Sequence, residues 1–243
     1  MPYRRLPNTD TARVKALNIA ISKGRELPPF RLAFSPKSYQ KLQSFINKYE
    51  NAMSFYRQCY SVQTKRNREY LVLLKKARIY ISHFIQVLNM AILRGDMQPE
   101  VRTYFGIDID KNRLPSINTE MEIIKWGELL ISGETRRILK GDSPVTNPPI
   151  ALVKVRFENF MEAYHHQKTL QKNTSRALSN LSSLREEADR IILQIWNEVE
   201  ESFRDLPDDL RREKAKEYGV VYVYRKNEIG NINFFIPRRT GAG

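Results

Sequence analysis

Glu162 and His165 stand three residues apart in a stretch without Gly or Pro, the spacing in this chain closest to a metal-ligating motif. On a helix that interval places a carboxylate and an imidazole on one face, as in di-iron helical bundles. Such a centre needs a second set of ligands, and the matching place in the first half of the chain holds Glu50 and Met53, with no histidine. No metal and no other cofactor is therefore expected, and His165 and His166 read as exposed or lightly packed. Cys59, set between Tyr56, Tyr60 and Val62, has the surroundings of a small packed hydrophobe rather than those of an activated thiol. Gly133-Glu134-Thr135 lacks both the spacing and the preceding strand of a phosphate-binding loop. The adjacent carboxylates Glu186-Glu187 and Glu200-Glu201 point in different directions on a helix and read as solvated charge. No catalytic residue, cofactor-binding residue or small-molecule substrate emerges, and the chain is expected not to be an enzyme.

Basic residues give a stronger pattern. Arg57, Lys65, Arg68, Lys75 and Lys76 fall within an arc of roughly 100° on a 3.6-residue wheel, which makes a cationic stripe about 30 Å long. These five are the candidate nucleic-acid-binding residues; an ordinary solvated helix face is the alternative. Near the C-terminus, Tyr222, Tyr224, Phe234 and Phe235 lie close to Arg225, Lys226, Arg238 and Arg239. Aromatic and basic residues in that mixture could stack bases, although aromatics alternating in a hairpin usually form its buried face.

The elements that would position these residues follow from periodicity. Lys37 to Arg94 contains neither Gly nor Pro and opens on Ser35-Pro36, an N-cap followed by proline in the first turn. Its apolar residues, from Tyr39, Leu42, Ile46 and Tyr49 through Tyr60 and on to Tyr70, Ile81 and Leu88, recur in alternating steps of three and four. One long helix is predicted, with Gly95 ending it. Ile150 to Leu206 repeats the grammar, introduced by Asn147-Pro148-Pro149 and closed by Pro207. Both seams turn polar near the middle, at Gln63 and Asn67 in the first helix and at Gln167, Gln171 and Thr174 in the second. Polar seam positions can fix register at some cost in stability; a bend or a wet gap is the other reading.

The stretches before the long helices also correspond. Leu6-Pro7-Asn8-Thr9-Asp10 precedes a short amphipathic run ending Ile21-Ser22-Lys23-Gly24, and Leu114-Pro115-Ser116 through Thr119-Glu120 precedes another ending Ile131-Ser132-Gly133. Tyr104-Phe105-Gly106-Ile107 after the first long helix rhymes with Glu217-Tyr218-Gly219-Val220 after the second. Two repeats are the economical explanation, residues 1–110 and 111–219, followed by a β-hairpin and basic tail over 220–243. Chain reach then places the two long helices antiparallel. The expected fold is mainly α: an elongated helical bundle of two long antiparallel helices plus short helices, a duplicated unit, with a C-terminal β-hairpin.

Bulk properties frame these expectations. The chain has 243 residues and 41% hydrophobic content, enough for a core without staples, and its single cysteine suits a reducing compartment. The basic opening MPYRRLPNTD is not followed by an apolar run of signal-peptide length, and no segment approaches the roughly 20 apolar residues of a membrane span. A soluble cytoplasmic protein is expected. Net charge is +14, and residues 1–110 hold 19 basic and 8 acidic side chains, so most of the excess lies in the first half. That balance favours nucleic acid, anionic lipid or acidic proteins as partners.

Through Tyr3-Arg4-Arg5-Leu6-Pro7-Asn8-Thr9-Asp10 and the segment from Trp126-Gly127-Glu128 to Asn147-Pro148, the whole chain resembles an uncharacterised family of duplicated bacterial helical proteins with no assigned activity. The resemblance implies a duplicated helical fold and brings no activity or functional residues. Two functions are compatible with the sequence. One is a non-enzymatic helical scaffold or adaptor presenting long helical surfaces to a protein partner or a second copy, and the other is an RNA- or DNA-associated protein using the basic stripe.

Overall fold

Two segments without Gly or Pro dominate the computed structural model, which describes residues 3–110 and 113–224. They form α2 (Pro36–Leu93) and α4 (Ile150–Ser202). The other α-helices are α1 (Asp10–Glu26), α3 (Glu120–Leu139) and α5 (Asp208–Glu217); with the short 3-10 helices Pro29–Arg31 and Pro99–Phe105, helix accounts for 76% of the described residues. A two-stranded antiparallel sheet pairs β1 (Tyr3–Arg4) with β2 (Tyr222–Val223). The first arm of the expected hairpin thus supplies β2, which joins the beginning of the chain. The expected turn, with Arg225 and Lys226, and the expected second arm and tail, with Phe234, Phe235, Arg238 and Arg239, lie outside the described residues. Among the described residues no helix is long and apolar enough to cross a membrane. The chain divides into two units, residues 1–58 with 175–243 and residues 59–174, so each unit takes part of both long helices.

In the first unit, Thr9 caps α1 by accepting from the Ala12 N–H at 3.2 Å, and α1 buries Ala16, Leu17, Ala20 and Ile21 along one face. That face packs with Leu42, Phe45, Ile46 and Tyr49 of α2 and with Leu181, Ala188, Ile195 and Trp196 of α4. Full burial of each large apolar side chain stabilises by about 1.5–3 kcal/mol. The two helices run antiparallel here: Ser38 meets Glu198, while farther along α2 Tyr49 shares Asp10 with Arg185. Ser35 caps α2 through its hydroxyl, which accepts from the Ser38 N–H at 3.2 Å. The Glu198 carboxylate reinforces that end by accepting from the Ser35 N–H at 2.8 Å and the Ser38 hydroxyl at 2.7 Å, a negative charge at the positive end of the helix dipole.

In the second unit, α2 buries Tyr70, Ala77, Ile81, Phe84, Ile85 and Leu88, and α4 buries Val153, Phe157 and Phe160. Asn67 meets Gln167, Tyr70 meets Phe160 and Tyr80 meets Arg156, so the helices are antiparallel in this unit also. Gly95 (φ +82°) ends α2, with the Asp96 N–H returning to the Ala91 carbonyl at 2.9 Å. Thr119 and Glu122 form a reciprocal capping box at the start of α3, and the backbone N–H of Thr119 helps hold the Glu122 carboxyl down to about 2.

Two readings of the short helices need correction. Gly24 and Gly133 do not end them; α1 continues to Glu26 and α3 to Leu139. These glycines permit close packing instead. A Cβ on Gly24 would lie 2.2 Å from the Tyr39 ring, and one on Gly133 would lie 2.5 Å from the Tyr104 carbonyl oxygen. Within the expected seams, Tyr60 and Leu178 are exposed rather than buried. Gln167 and Thr174 are buried, and Gln167 donates to Asn67 at 3.1 Å. The Gln63 and Gln167 side-chain oxygens and the Thr174 hydroxyl have no protein partner.

Candidate functional site

The basic stripe is carried by α2, whose opposite face is fixed by the buried row Tyr70, Ala77, Ile81, Phe84 and Leu88. With that face committed to the core, helix geometry turns Arg57, Lys65, Arg68, Lys75 and Lys76 to solvent, and all five are exposed. Arg57 belongs to the first unit and the other four to the second. Among the described residues none of the five forms an ion pair. Their neighbours differ: Arg66 is paired with Glu69 at 2.7 Å, and Arg78 donates to the Asn118 carbonyl at 2.7 Å. Glu69 is the one acidic residue between Lys65 and Leu93, and its charge is already engaged.

The stripe is not purely cationic. Val72 and Ile79 lie on the same face, 53% and 50% exposed, and Met90 and Leu93 continue it at 53% and 63%. Residues 65, 72, 79, 86 and 93, read as Lys, Val, Ile, Gln and Leu, recur every seven positions. These aliphatics fall outside the core seam of α2, so a reading of the sequence by its buried periodicity passes over them. The signal was a second heptad on a helix that already had one.

Two three-residue clamps were also missed. In the first unit Asp10 accepts from the Tyr49 hydroxyl at 2.8 Å and, through both oxygens, from the Arg185 guanidinium at 2.7 Å. The Arg185 hydrogen bonds hold the Asp10 carboxyl below its ordinary value, and burial together with the bond to Asp10 pushes the Tyr49 phenol up. In the second unit Glu120 accepts from the Tyr70 hydroxyl and from Lys168 Nζ at 2.9 Å. Desolvation resists ionisation of Glu120, but the bonds from Tyr70 and Lys168 outweigh it and the carboxyl is lowered. In both clamps an acid at the start of a short helix holds a tyrosine of α2 and a cation of α4. Only the folded chain brings these residues together, across 175 positions for Asp10 and Arg185.

Other polar groups are engaged likewise. Glu134 is fully buried and Arg137 is 2% exposed. Their bidentate pair, with both contacts at 2.8 Å, anchors the Val145 N–H on Glu134 and the Ser143 carbonyl on Arg137, fixing the turn before α4. A cleft of about 610 Å³ in the first unit is lined by Arg4, Glu200, Arg204, Asp208, Arg211 and Tyr222, among others. Its charges neutralise one another: Arg4 meets Glu200 at 2.9 Å, Arg211 meets Asp208 at 2.6 Å, and the Tyr222 hydroxyl donates to Glu200 at 2.6 Å. Glu200 is therefore a structural anchor for β1 and β2 rather than solvated charge. Glu162, His165 and His166 are exposed on α4, and Cys59 is half-buried on α2 rather than packed.

No family model matches the chain, and no curated protein or solved structure is significantly similar to it.

Proposed function

We propose that this protein is a non-enzymatic helical scaffold or adaptor whose α2 presents an outward surface to a protein partner. The carrying observation is that exposed aliphatics and unpaired cations share one face of α2, at Val72 and Ile79 among Lys65, Arg68, Lys75 and Lys76. A protein surface gives both kinds of side chain a complementary contact, whereas a phosphate backbone uses the cations and leaves the aliphatics in water. The mutual pairing of charges in the first unit's cleft and in both clamps gives those groups structural work. A cytoplasmic setting accords with the single free thiol. Internal duplication is supported by the parallel roles of Thr9-Asp10 and Thr119-Glu120, each pair capping a short helix and clamping α2 and α4.

The second reading, association with RNA or DNA, draws on the same unpaired cations. If each of Arg57, Lys65, Arg68, Lys75 and Lys76 neutralised one phosphate of duplex DNA, binding would show a log–log salt slope of about −4 to −5. Changing three of them to Gln would flatten that slope by about 3 units. Purification from the native cell before and after nuclease, with salt titrations of wild type and the Lys65→Gln, Arg68→Gln, Lys75→Gln variant, separates the readings. The adaptor reading expects a stoichiometric protein partner that survives nuclease. A stripe-dependent slope of the stated size, with no nuclease-resistant protein, would replace it with the nucleic-acid reading.

A further inference from the structure

We infer that the outer face of α2 from Lys65 to Leu93 is a coiled-coil seam for an acidic amphipathic helix of another protein. The inference rests on the adaptor reading and names the chemistry of its partner. Exposed positions run Lys65, Arg68, Val72, Lys75 and Ile79, then Gln86, Met90 and Leu93, in steps of three, four or seven. A seam needs this alternation to stay on one side of a helix as it winds. The inner face of the same helix is already buried, at Tyr70, Ala77, Ile81 and Leu88, so the outer rows form a second, unpartnered seam about 40 Å long at about 1.5 Å per residue. β-Branched Val72 and Ile79 occupy equivalent positions one heptad apart, the residues favoured at such sites in two-stranded pairing.

Charge selects the occupant. Lys65, Arg68, Lys75 and Lys76 lie in or beside the N-terminal part of the seam, and Glu69, the single acid of the span, is paired with Arg66. In a parallel pairing with a second copy, Lys65, Arg68 and Lys75 would each face their own counterparts, and an antiparallel pairing centred on Ile79 would bring Lys75 opposite His83. Neither provides the missing negative charge. A partner helix with Glu or Asp beside its apolar row provides it and offers Val72, Ile79, Met90 and Leu93 a surface to bury against. An anionic bilayer asks only for an apolar strip flanked by cations, whereas a seven-residue recurrence with cations inside the strip suits a helix.

The test uses the full chain and three designed helical peptides of four heptads. One has Leu at the seam and Glu at its flanks, a second has Lys in place of Glu, and a third has the composition of the first in scrambled order. Titration followed by fluorescence anisotropy should show binding of the acidic heptad peptide, with the basic and scrambled peptides at least about tenfold weaker. Val72→Asp with Ile79→Asp should abolish binding, and Lys65→Glu, Lys75→Glu, Lys76→Glu should shift preference to the basic peptide. Unchanged circular dichroism and thermal unfolding would show that these exposed changes leave the fold intact. Equal binding of the scrambled peptide would reduce the interaction to net charge and overturn the seam. So would failure to bind the acidic peptide, or tighter binding to anionic vesicles or to a second copy, read as liposome flotation and molar mass. If a nuclease-resistant protein partner persists in the Val72/Ile79 variant, the seam is wrong while a protein-binding function stands; loss of all protein partners after nuclease removes the function itself.

Discussion

The first unit holds its carboxylate clamp with an arginine, and the second unit holds the corresponding clamp with a lysine. Asp10 takes two parallel bonds from Arg185, and Arg13 beside it makes another bidentate pair with Asp189, at 2.8 and 2.9 Å. Glu120 takes a single bond from Lys168, a point charge on a flexible stem that is itself half exposed. The second unit compensates elsewhere, with the fully buried Glu134–Arg137 pair, for which the first unit uses Glu198 at the more open start of α2. Each unit thus ties its short helix to both long ones through a clamp, and each fixes the entry to a long helix with a carboxylate, partly open at Glu198 in the first unit and buried at Glu134 in the second. Burial decides how much each tie is worth.

The largest effect should come from breaking the buried pair. Arg137→Ala leaves the Glu134 carboxylate uncompensated in the interior and is expected to destabilise the second unit by about 3–5 kcal/mol. Replacing both residues together, as Glu134→Leu with Arg137→Met, should recover only part of that loss, because the Val145 N–H and the Ser143 carbonyl then lose their partners. Urea unfolding measures both, and hydrogen exchange in α3 reports whether the damage stays in the second unit; a single-variant loss below about 1 kcal/mol would mean the pair is not the tie described.

Next comes the arginine clamp. Asp10→Asn should cost about 1.5–3 kcal/mol, the usual worth of hydrogen bonds to a charged group. Because Arg185 lowers the Asp10 carboxyl in the fold, its contribution is complete above the ordinary value of 3.8 and is lost as pH falls through the lower folded value. Unfolding midpoints measured from neutral pH down to acid should therefore converge for wild type and variant at the acid end. The tyrosines behave oppositely. Tyr49 and Tyr70 are raised above 10.0 by burial first, so their contribution is complete below that value and is lost as pH rises from it through the higher folded one. Spectrophotometric titration should find them ionising later than exposed tyrosines.

Close packing ranks third. Gly133→Ala sets a methyl against the Tyr104 backbone, which cannot rotate away, and should cost about 1–3 kcal/mol by thermal unfolding. Smallest is the lysine clamp, where Glu120→Gln should lose less than about 1 kcal/mol because Lys168 is solvated. A loss equal to that of Asp10→Asn would erase the distinction between the two units.

The sequence was most legible where local physics acts alone. Absence of Gly and Pro, together with a sustained three–four seam, was enough to locate α2 and α4 nearly to their ends, and Ser35 and Gly95 marked the limits of α2 through capping chemistry. The exposed stripe was legible for the same reason, since a helix with one face fixed by apolar residues must turn the other outward. Gly24 and Gly133 were misjudged because a glycine inside a helix looks like a terminator until the partner surface is known.

By itself, then, the sequence determined the two long helices, nearly to their ends, and the exposed stripe on α2, because each depends on interactions within a few turns; α5 and the ends of α1 and α3 were not legible in it. Tertiary structure alone decided how the chain divides, since the described residues of 1–58 join those of 175–224 through contacts between distant positions. It also decided that Asp10 meets Arg185 and that Tyr3–Arg4 pairs with Tyr222–Val223. No local propensity encodes such pairings. They follow when apolar faces of separate helices are buried together, and the polar groups brought with them must find partners in whatever the packing places nearby.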